Sequence, residues 1–217
     1  MEKKMSLNVL SQITRLREAA CSIGLVDRDW TAVSSKIVEF MSLVDNILAG
    51  GNRVLVFSQF TTFLNQAKSA VEKVLTADEY CYLDGATTLQ QREKMVQEFQ
   101  HGKCKVFFIS LKAGGVGLNL TGANYVIHLD PWWNPAIEQQ ATDRAYRIGQ
   151  EQNVTVYHLI TRNSIEEKII RLHKSKRDLA DALLTDTDVT KAMTLEDLRN
   201  LVQDHELDTP EGSEHWA

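Results

Sequence analysis

Two arginines and a glutamine stand at helical spacing in this 217-residue chain. Gln140, Arg144 and Arg147 follow one another at steps of four and three residues, which places their side chains on one face of an α-helix. Pro135 suits the first turn of such a helix and Gly149 suits its end, so the pattern predicts a helix between them. The two guanidinium groups would then point in the same direction.

A pair of arginines on one helix face permits two interpretations. A solvated basic face is the simpler one, because charged helix faces are common. The alternative is anion recognition, since guanidinium groups grip phosphate oxygens and stabilise the charge that develops on a transferring phosphoryl group. The spacing by itself leaves both open.

Two further segments have the composition of ligand-binding loops. Gly114, Gly115 and Gly117 follow an apolar run, where they permit either a plain tight turn or the close approach of backbone N–H groups to an anion. Trp132 and Trp133 stand together between two prolines, and paired tryptophans are typical of a core or an interface. The sequence contains no G-x-x-x-x-G-K-S/T pattern to cradle phosphates and no acidic pair after a strand to hold magnesium.

The elements that must position these residues alternate between strands and helices. Short apolar runs predict strands at 54–57, 80–83, 106–109, 125–129 and 154–160. Helical periodicity is present at 61–76 and 89–100, and Thr88 with Gln91 predicts a capping box. Near-continuous apolar strands between helices predict an α/β fold with a parallel sheet covered on both faces. Ligands of such sheets bind beyond the carboxyl ends of the strands, where loops begin at Ser58, Asp84, Ser110 and Asp130.

Two helical segments are expected before the first strand. Amphipathic periodicity predicts one helix over 7–20 and a second over about 34–49, ended by Gly50 and Gly51.

A longer helix is expected to begin with a capping box at Ser164 and to run to about residue 184. Its basic stretch, 171–177, is either a solvated face or a contact to a DNA backbone. A last short helix is expected over 194–203, followed by a mobile tail.

The net charge of −5 is unevenly distributed. Residues 178–217 hold 11 of the acidic and 2 of the basic residues, which leaves 18 acidic and 22 basic residues, a net charge of +4, in 1–177. This mildly basic body permits binding to nucleic acid.

No segment resembles a membrane span or a signal peptide, so we expect an intracellular protein without a membrane partner.

The three cysteines suggest neither covalent nor metal chemistry. Cys21, Cys81 and Cys104 form no C-x-x-C pair and have no ligand spacing with the histidines. We expect three separate thiols, no disulfide framework and no metal site.

The motifs resemble those of a known family. Segment 140–150, Q-A-T-D-R-A-Y-R-I-G-Q, resembles the last helicase motif of the Swi/Snf-type ATPases, the duplex-DNA translocases of helicase superfamily two. Segments 130–135 and 110–121 are similar to the two preceding motifs of that family. Segments 53–60 and 82–87 are similar to the motifs that open its second lobe, and all of them follow in the family's order. An RNA helicase lobe is disfavoured by D-P-W-W-N-P and R-I-G-Q.

This resemblance implies the second, C-terminal RecA-like lobe of such an ATPase, with a P-loop NTPase-like fold. ATP would bind on a first lobe that is absent here and that also holds Mg²⁺. Arg144 and Arg147 would reach that ATP as arginine fingers, and Gly115, Gly117 and Gln140 would lie near the nucleotide.

The resemblance also implies a set of DNA contacts and a division of the chain. The implied DNA-binding residues are Gln59, Ser110, Leu111, Lys112 and Trp133. Segment 13–21 resembles the region where the family's chain leaves its first lobe. The expected units are a helical linker over 1–33, a RecA-like lobe over 34–184, and an acidic helix with a flexible tail over 185–217.

Two hypotheses for the function follow. In the first, the chain is the second motor lobe of a DNA-stimulated ATPase and is inactive when isolated, because it has no phosphate-binding motif of its own. Its partners would be the first lobe, double-stranded DNA and a DNA-bound protein target, in the cytoplasm or nucleoid of a bacterium or the nucleus of a eukaryote. In the second, the same fold serves as a non-catalytic module that binds nucleic acid or protein.

Overall fold

The computed structural model describes residues 2–113, 118–147, 150 and 153–183. Its five strands are β1 Val54–Ser58, β2 Tyr80–Leu83, β3 Val106–Ser110, β4 Tyr125–His128 and β5 Thr155–His158. Its helices are α1 Glu2–Cys21, a short 3-10 helix at Ile23–Leu25, α2 Ser35–Ala49, α3 Thr61–Val71, α4 Leu89–Gln100, α5 Pro135–Thr142 and α6 Ile165–Leu183.

The strands form one parallel sheet in the order β2-β3-β1-β4-β5. Val54 of β1 is in register with Val106 of β3 on one side and with Tyr125 of β4 on the other. Because all strands run the same way, the loops that follow β1, β3 and β4 leave the same edge of the sheet.

Helices cover both faces of this sheet, as its apolar strands predict. Successive residues of β1 face opposite sides, so Leu55 and Phe57 belong to one hydrophobic core, and Val54 and Val56 to another. The first core includes Phe99 of α4, whereas the second lies against α2 and α3. The predicted α/β fold with a doubly covered parallel sheet is confirmed.

Local signals in the sequence account for several helix ends. The capping box at Thr88 and Gln91 is present at the start of α4. Gly51 follows α2 with a φ of 71°, a conformation that glycine adopts without steric cost. At α6 the capping differs from the prediction, since the Ser164 hydroxyl accepts from the N–H of Glu166, and Glu167 accepts from Asn163.

The prediction of one helix from Pro135 to Gly149 is wrong. Helix α5 ends at Thr142, and residues 143–147 form turns. The backbone groups that a longer helix would use have other partners: the Arg144 carbonyl oxygen accepts from the N–H of Leu120, and that of Ala145 accepts from the Gln150 side chain. Gln140, Arg144 and Arg147 therefore do not share one helix face.

The prediction of three separate thiols is also wrong. Cys81 in β2 and Cys104, just before β3, form a disulfide, and their Cα atoms lie 6.2 Å apart. The two residues are distant in sequence, but the parallel pairing of β2 with β3 brings them together. Glu98 lies beside them, and these three side chains have the donor types of a metal site. We assign no metal there, because disulfide sulfurs are not thiolates.

Helices α1 and α6 pack against each other at one corner of the sheet. Ile13 of α1 forms a small buried cluster with Ile165 and Ile169 of α6. The Thr161 hydroxyl donates to the carbonyl oxygen of Ala20 at 2.7 Å, so the segment that precedes α6 is joined to the end of α1.

The predicted helix over 194–203 and the tail lie outside the described residues. Within the described part of the chain, no helix has the length and apolarity that crossing a membrane requires.

Candidate functional site

The loops after β1 and β4 are joined at the carboxyl edge of the sheet by one buried carboxylate. Asp130 accepts hydrogen bonds from the Ser58 hydroxyl and from the N–H of Gln59. Burial raises the pKa of Asp130 to about 6, although the Ser58 hydroxyl and the Arg17 guanidinium both act in the opposite direction. The start of the first loop is thereby fixed against the start of the second.

Three buried side chains hold consecutive backbone groups of the loop after β4. Arg17 of α1 donates to the carbonyl oxygen of Pro131. The Glu138 carboxylate of α5 accepts from the N–H of Trp132 at 2.6 Å, and Nε2 of His173 in α6 lies 3.0 Å from the Trp133 carbonyl oxygen. Helices from three parts of the chain thus set the path of one loop, which we call the tryptophan loop (residues 130–133).

Glu138 is ionisable and buried within this arrangement. Burial raises its pKa to about 7, against the effect of the Trp132 hydrogen bond, and nearby Asp130 contributes in the same direction as burial. Nδ1 of His158 lies 3.8 Å from the Glu138 carboxylate. The loop is therefore held by a group whose charge changes near neutral pH.

The ring of Trp133 is half-buried between the two terminal helices. It packs on the cluster of Ile13, Ile165 and Ile169, and the Arg17 guanidinium carbon lies 4.5 Å from its ring centre. The Trp133 side chain thus has a packing role.

The other four residues implied in DNA binding differ in accessibility. Ser110 and Leu111 are 2% and 5% exposed, so most of their side-chain surface cannot be reached. Lys112, in contrast, is exposed. Gln59 is half-buried, and its Nε2 has no hydrogen-bond partner among the described residues. Lys112 is consequently the side chain of these four that presents a donor at the surface, because Nε2 of Gln59 is itself buried.

Arg144 and Arg147 lie in the turns that follow α5. Arg144 is only 3% exposed, and its Nε is buried without a hydrogen-bond partner in the described part of the chain, whereas Arg147 is exposed. Burial lowers the pKa of Arg144, and the charge of Arg147 lowers it further, against the effect of Asp143. The charges of the two guanidinium groups therefore interact, although the two residues do not lie on one helix.

The predicted nucleotide contacts are described only in part. Gln140 is exposed near the end of α5, and Gly115 and Gly117 lie outside the described residues. The segment after these glycines is tied to the arginine segment: Nε2 of Gln150 donates to the carbonyl oxygens of Thr121, at 3.0 Å, and Ala123, at 2.7 Å. The segment that carries the arginines is therefore joined to residues 121–123.

Sequence reasoning missed the buried charges that surround the tryptophan loop. Arg17 is 2% exposed, and Lys36 is 5% exposed with its Nζ 2.6 Å from the Glu166 carboxylate. The sequence did contain a signal that both basic side chains would be buried. Arg17 stands four residues after Ile13 on the apolar face of α1, and Lys36 stands four residues before Phe40 on the buried face of α2.

Residues 36–149 match the family model described as "Helicase conserved C-terminal domain". Among curated proteins, the chain is 41% identical over 168 residues to a putative ATP-dependent helicase/translocase, YwqA, of Bacillus subtilis. That match covers 77% of this chain and 18% of the relative. The chain spans about a fifth of the length of the curated relatives it matches.

Two solved structures from Sulfolobus solfataricus are similar to the chain. Its SWI2/SNF2 ATPase core in complex with dsDNA is 33% identical with a TM-score of 0.71, and the match covers 91% of this chain and 42% of that one. The isolated C-terminal domain of that ATPase is 30% identical with a TM-score of 0.68, and there the match covers 91% of this chain and 82% of that one.

Proposed function

Because the chain belongs to the helicase conserved C-terminal domain family, as a Swi/Snf-type C-terminal lobe of superfamily two, we propose that it is the second motor lobe of a DNA-stimulated ATPase. In this proposal the full protein translocates along duplex DNA. A first lobe binds ATP and Mg²⁺, and the present chain supplies arginines to the nucleotide and part of the DNA contact surface.

The observation that carries this proposal is the state of Arg144. A guanidinium Nε that is buried and unpaired within the described residues is costly, because it has lost water without gaining an acceptor. A phosphate oxygen supplied across a cleft would provide an acceptor once the Arg144 side chain moves to expose its nitrogens. Arg147 beside it adds a second positive charge, which suits the several negative charges of a triphosphate.

The remaining ATP chemistry would be external to this chain. When bound, ATP supplies the phosphoanhydride bond whose hydrolysis drives the motor. Arg144 and Arg147 would stabilise the negative charge that develops on the phosphoryl group, and arginines in this role accelerate hydrolysis by about three to five orders of magnitude. The chain alone would then hydrolyse ATP very slowly.

The DNA contacts would lie along the carboxyl edge of the sheet. The DNA-bound ATPase core of Sulfolobus solfataricus, which the chain resembles over 91% of its length, supports a duplex as the ligand. Lys112 would provide a charge to a phosphate, whereas Gln59 would donate to the backbone only after a movement that uncovers its buried, unpaired Nε2. Ser110 and Leu111 would contribute little through their side chains, which are buried, and the N–H of Leu111 already donates to the Ser58 carbonyl oxygen.

ATP hydrolysis, measured with and without duplex DNA, tests the proposal. The assay uses this chain alone and the full natural protein in which it occurs. We expect no hydrolysis from the chain alone and a DNA-stimulated rate from the full protein. Absence of hydrolysis from both would contradict the motor function and would favour a non-catalytic module that binds nucleic acid or protein.

A further inference from the structure

We propose that Arg17 is a positioning residue for DNA binding, which holds the loop after β1 and the tryptophan loop in the arrangement that engages the duplex. The inference rests on the proposed function, since it assumes that these two loops contact DNA. It concerns a residue of the linker helix α1, far from either loop in sequence.

The Arg17 guanidinium lies among three aromatic rings that come from both loops. Its central carbon is 5.4 Å from the ring centre of Phe60, in the loop after β1. It is 5.9 Å from that of Trp132 and 4.5 Å from that of Trp133, both in the tryptophan loop. These distances are within the range of cation–π contacts, which strengthen when the cation is withdrawn from water. Arg17 therefore connects the loop that carries Gln59 with the loop that carries Trp133.

The polar contacts of Arg17 are likewise directed at the tryptophan loop. Its Nη2 donates to the carbonyl oxygen of Pro131, whereas the nearest oxygen of Asp130 is 3.8 Å away, too far for a hydrogen bond. Asp130 is already bonded to Ser58 and to the N–H of Gln59. Arg17 therefore forms an ion pair with Asp130, but its hydrogen bond goes to the loop backbone and not to the carboxylate.

A planar guanidinium suits this position better than an ammonium. It can stack on aromatic faces and donate in its own plane at the same time, whereas a lysine ammonium is a compact point charge that retains its water strongly. Because Arg17 belongs to α1, a displacement of this helix would be passed directly to both loops. Arg17 would thus make the DNA-contact loops sensitive to the position of the linker.

A nearby buried residue provides a matched control. Lys36 donates to the carbonyl oxygen of Leu129 at 2.9 Å and pairs with Glu166, so it lies at the same end of β4. Among the described residues it makes no hydrogen bond or ring contact to the tryptophan loop, although its charge acts to lower the pKa of Asp130. Lys36→Met removes a buried charge beside the loop and lowers the melting temperature, but it leaves the aromatic surroundings of Arg17 intact.

The experiment compares Arg17→Met, Arg17→Lys and Lys36→Met in the full natural protein. Duplex DNA is titrated in an ATPase assay, and the melting temperature of each variant is measured. We expect Arg17→Met to raise the DNA concentration at half-maximal stimulation about tenfold, with the rate at saturating DNA within about twofold of wild type. Arg17→Lys should give an intermediate rise. Lys36→Met should lower the melting temperature but keep the half-maximal DNA concentration within about twofold.

Two outcomes would overturn the inference. Either the Arg17 variants leave the half-maximal DNA concentration unchanged, or Lys36→Met raises it as much as they do, which would mean that lost stability is the cause. If Arg17→Met does not fold, the comparison of Arg17→Lys with Lys36→Met decides in the same way. If the wild-type protein shows no DNA-stimulated hydrolysis, the proposed function itself is wrong and the role of Arg17 falls with it.

Discussion

The backbone N–H of Leu120 donates a 2.9 Å hydrogen bond to the carbonyl oxygen of Arg144. This bond joins the end of the glycine-containing segment to the first of the two arginines. It is made by backbone atoms alone, so a substitution of the Arg144 side chain leaves it in place. The guanidinium can therefore be tested separately from the turn that holds it.

Arg144→Gln in the full protein should lower the DNA-stimulated rate of ATP hydrolysis by about a thousandfold or more, if the guanidinium stabilises the developing phosphoryl charge. The measurement is steady-state hydrolysis at saturating ATP and DNA, together with DNA binding, which should be retained. Arg162→Gln, at an exposed arginine, is the control. A rate for Arg144→Gln within a few-fold of wild type would rule out the arginine-finger role.

Lys112→Gln should weaken binding to duplex DNA uniformly across sequences and reduce the slope of log affinity against log salt concentration by about one. The reason is that an exposed lysine at the carboxyl edge of the sheet would release about one counterion from a phosphate. Binding is measured by fluorescence anisotropy at several salt concentrations. Lys73→Gln changes an exposed lysine near the opposite edge of the sheet and should leave the slope unaltered. Equal slopes for all three proteins would exclude a phosphate contact by Lys112.

Glu138→Gln should alter how the stability of the chain depends on pH. The folded-state pKa of Glu138 is raised to about 7 from 4.5, so the folded protein keeps this proton after the unfolded chain has released it. The wild type therefore loses stability as pH rises from about 4.5 to about 7, by up to about 3 kcal/mol from this group. Gln cannot ionise, yet its side-chain oxygen can still accept from the Trp132 N–H.

Urea unfolding at pH 5 and pH 7.5 measures this effect. Relative to wild type, the free energy of unfolding of Glu138→Gln should be greater at the higher pH than at the lower. Glu39→Gln, at an exposed glutamate of α2, should show no such difference. A constant offset between Glu138→Gln and wild type at both pH values would mean that Glu138 does not titrate in this window.

The cysteines should react with iodoacetamide in a fixed pattern. Burial raises the pKa of the Cys21 thiol and blocks access to it, and Cys81 and Cys104 are disulfide-bonded. Intact mass should show no alkylation of the folded chain, one alkylation after unfolding without reductant, and three after unfolding with reductant. Three alkylations without reductant would show that Cys81 and Cys104 are free thiols in solution.

The sheet could be predicted because its signals are local. Runs such as Val54 to Phe57 are short, apolar at every position and rich in β-branched or aromatic residues, which is typical of a strand buried on both faces. The arginine segment could not be predicted in the same way. Its residues favour helix, but the Arg144 carbonyl oxygen accepts from Leu120, in a segment that periodicity cannot relate to it, and the Ala145 carbonyl oxygen accepts from the Gln150 side chain.

The buried polar residues around the tryptophan loop could not be predicted from local sequence signals either. Arg17, Asp130 and Glu166 are separated by more than 30 residues at each step, and only the fold makes them neighbours. The disulfide has the same origin, because the pairing of β2 with β3 decides which cysteines meet. The family motifs gave the positions of candidate ligand contacts, but burial decides that Lys112 is accessible and that Leu111 is not.

If the lobe rotates about the packing of α1 on α6, residues at different distances from that contact move by different amounts. Both helices meet the sheet at one corner, beside the tryptophan loop, through Ile13, Ile165 and the ring of Trp133. Lys112 follows β3, two strands away from β4, which corresponds to about 10 Å at the usual strand spacing. For any rotation about that corner, Trp133 has a short lever arm and moves little, whereas Lys112 has a long one and is carried further.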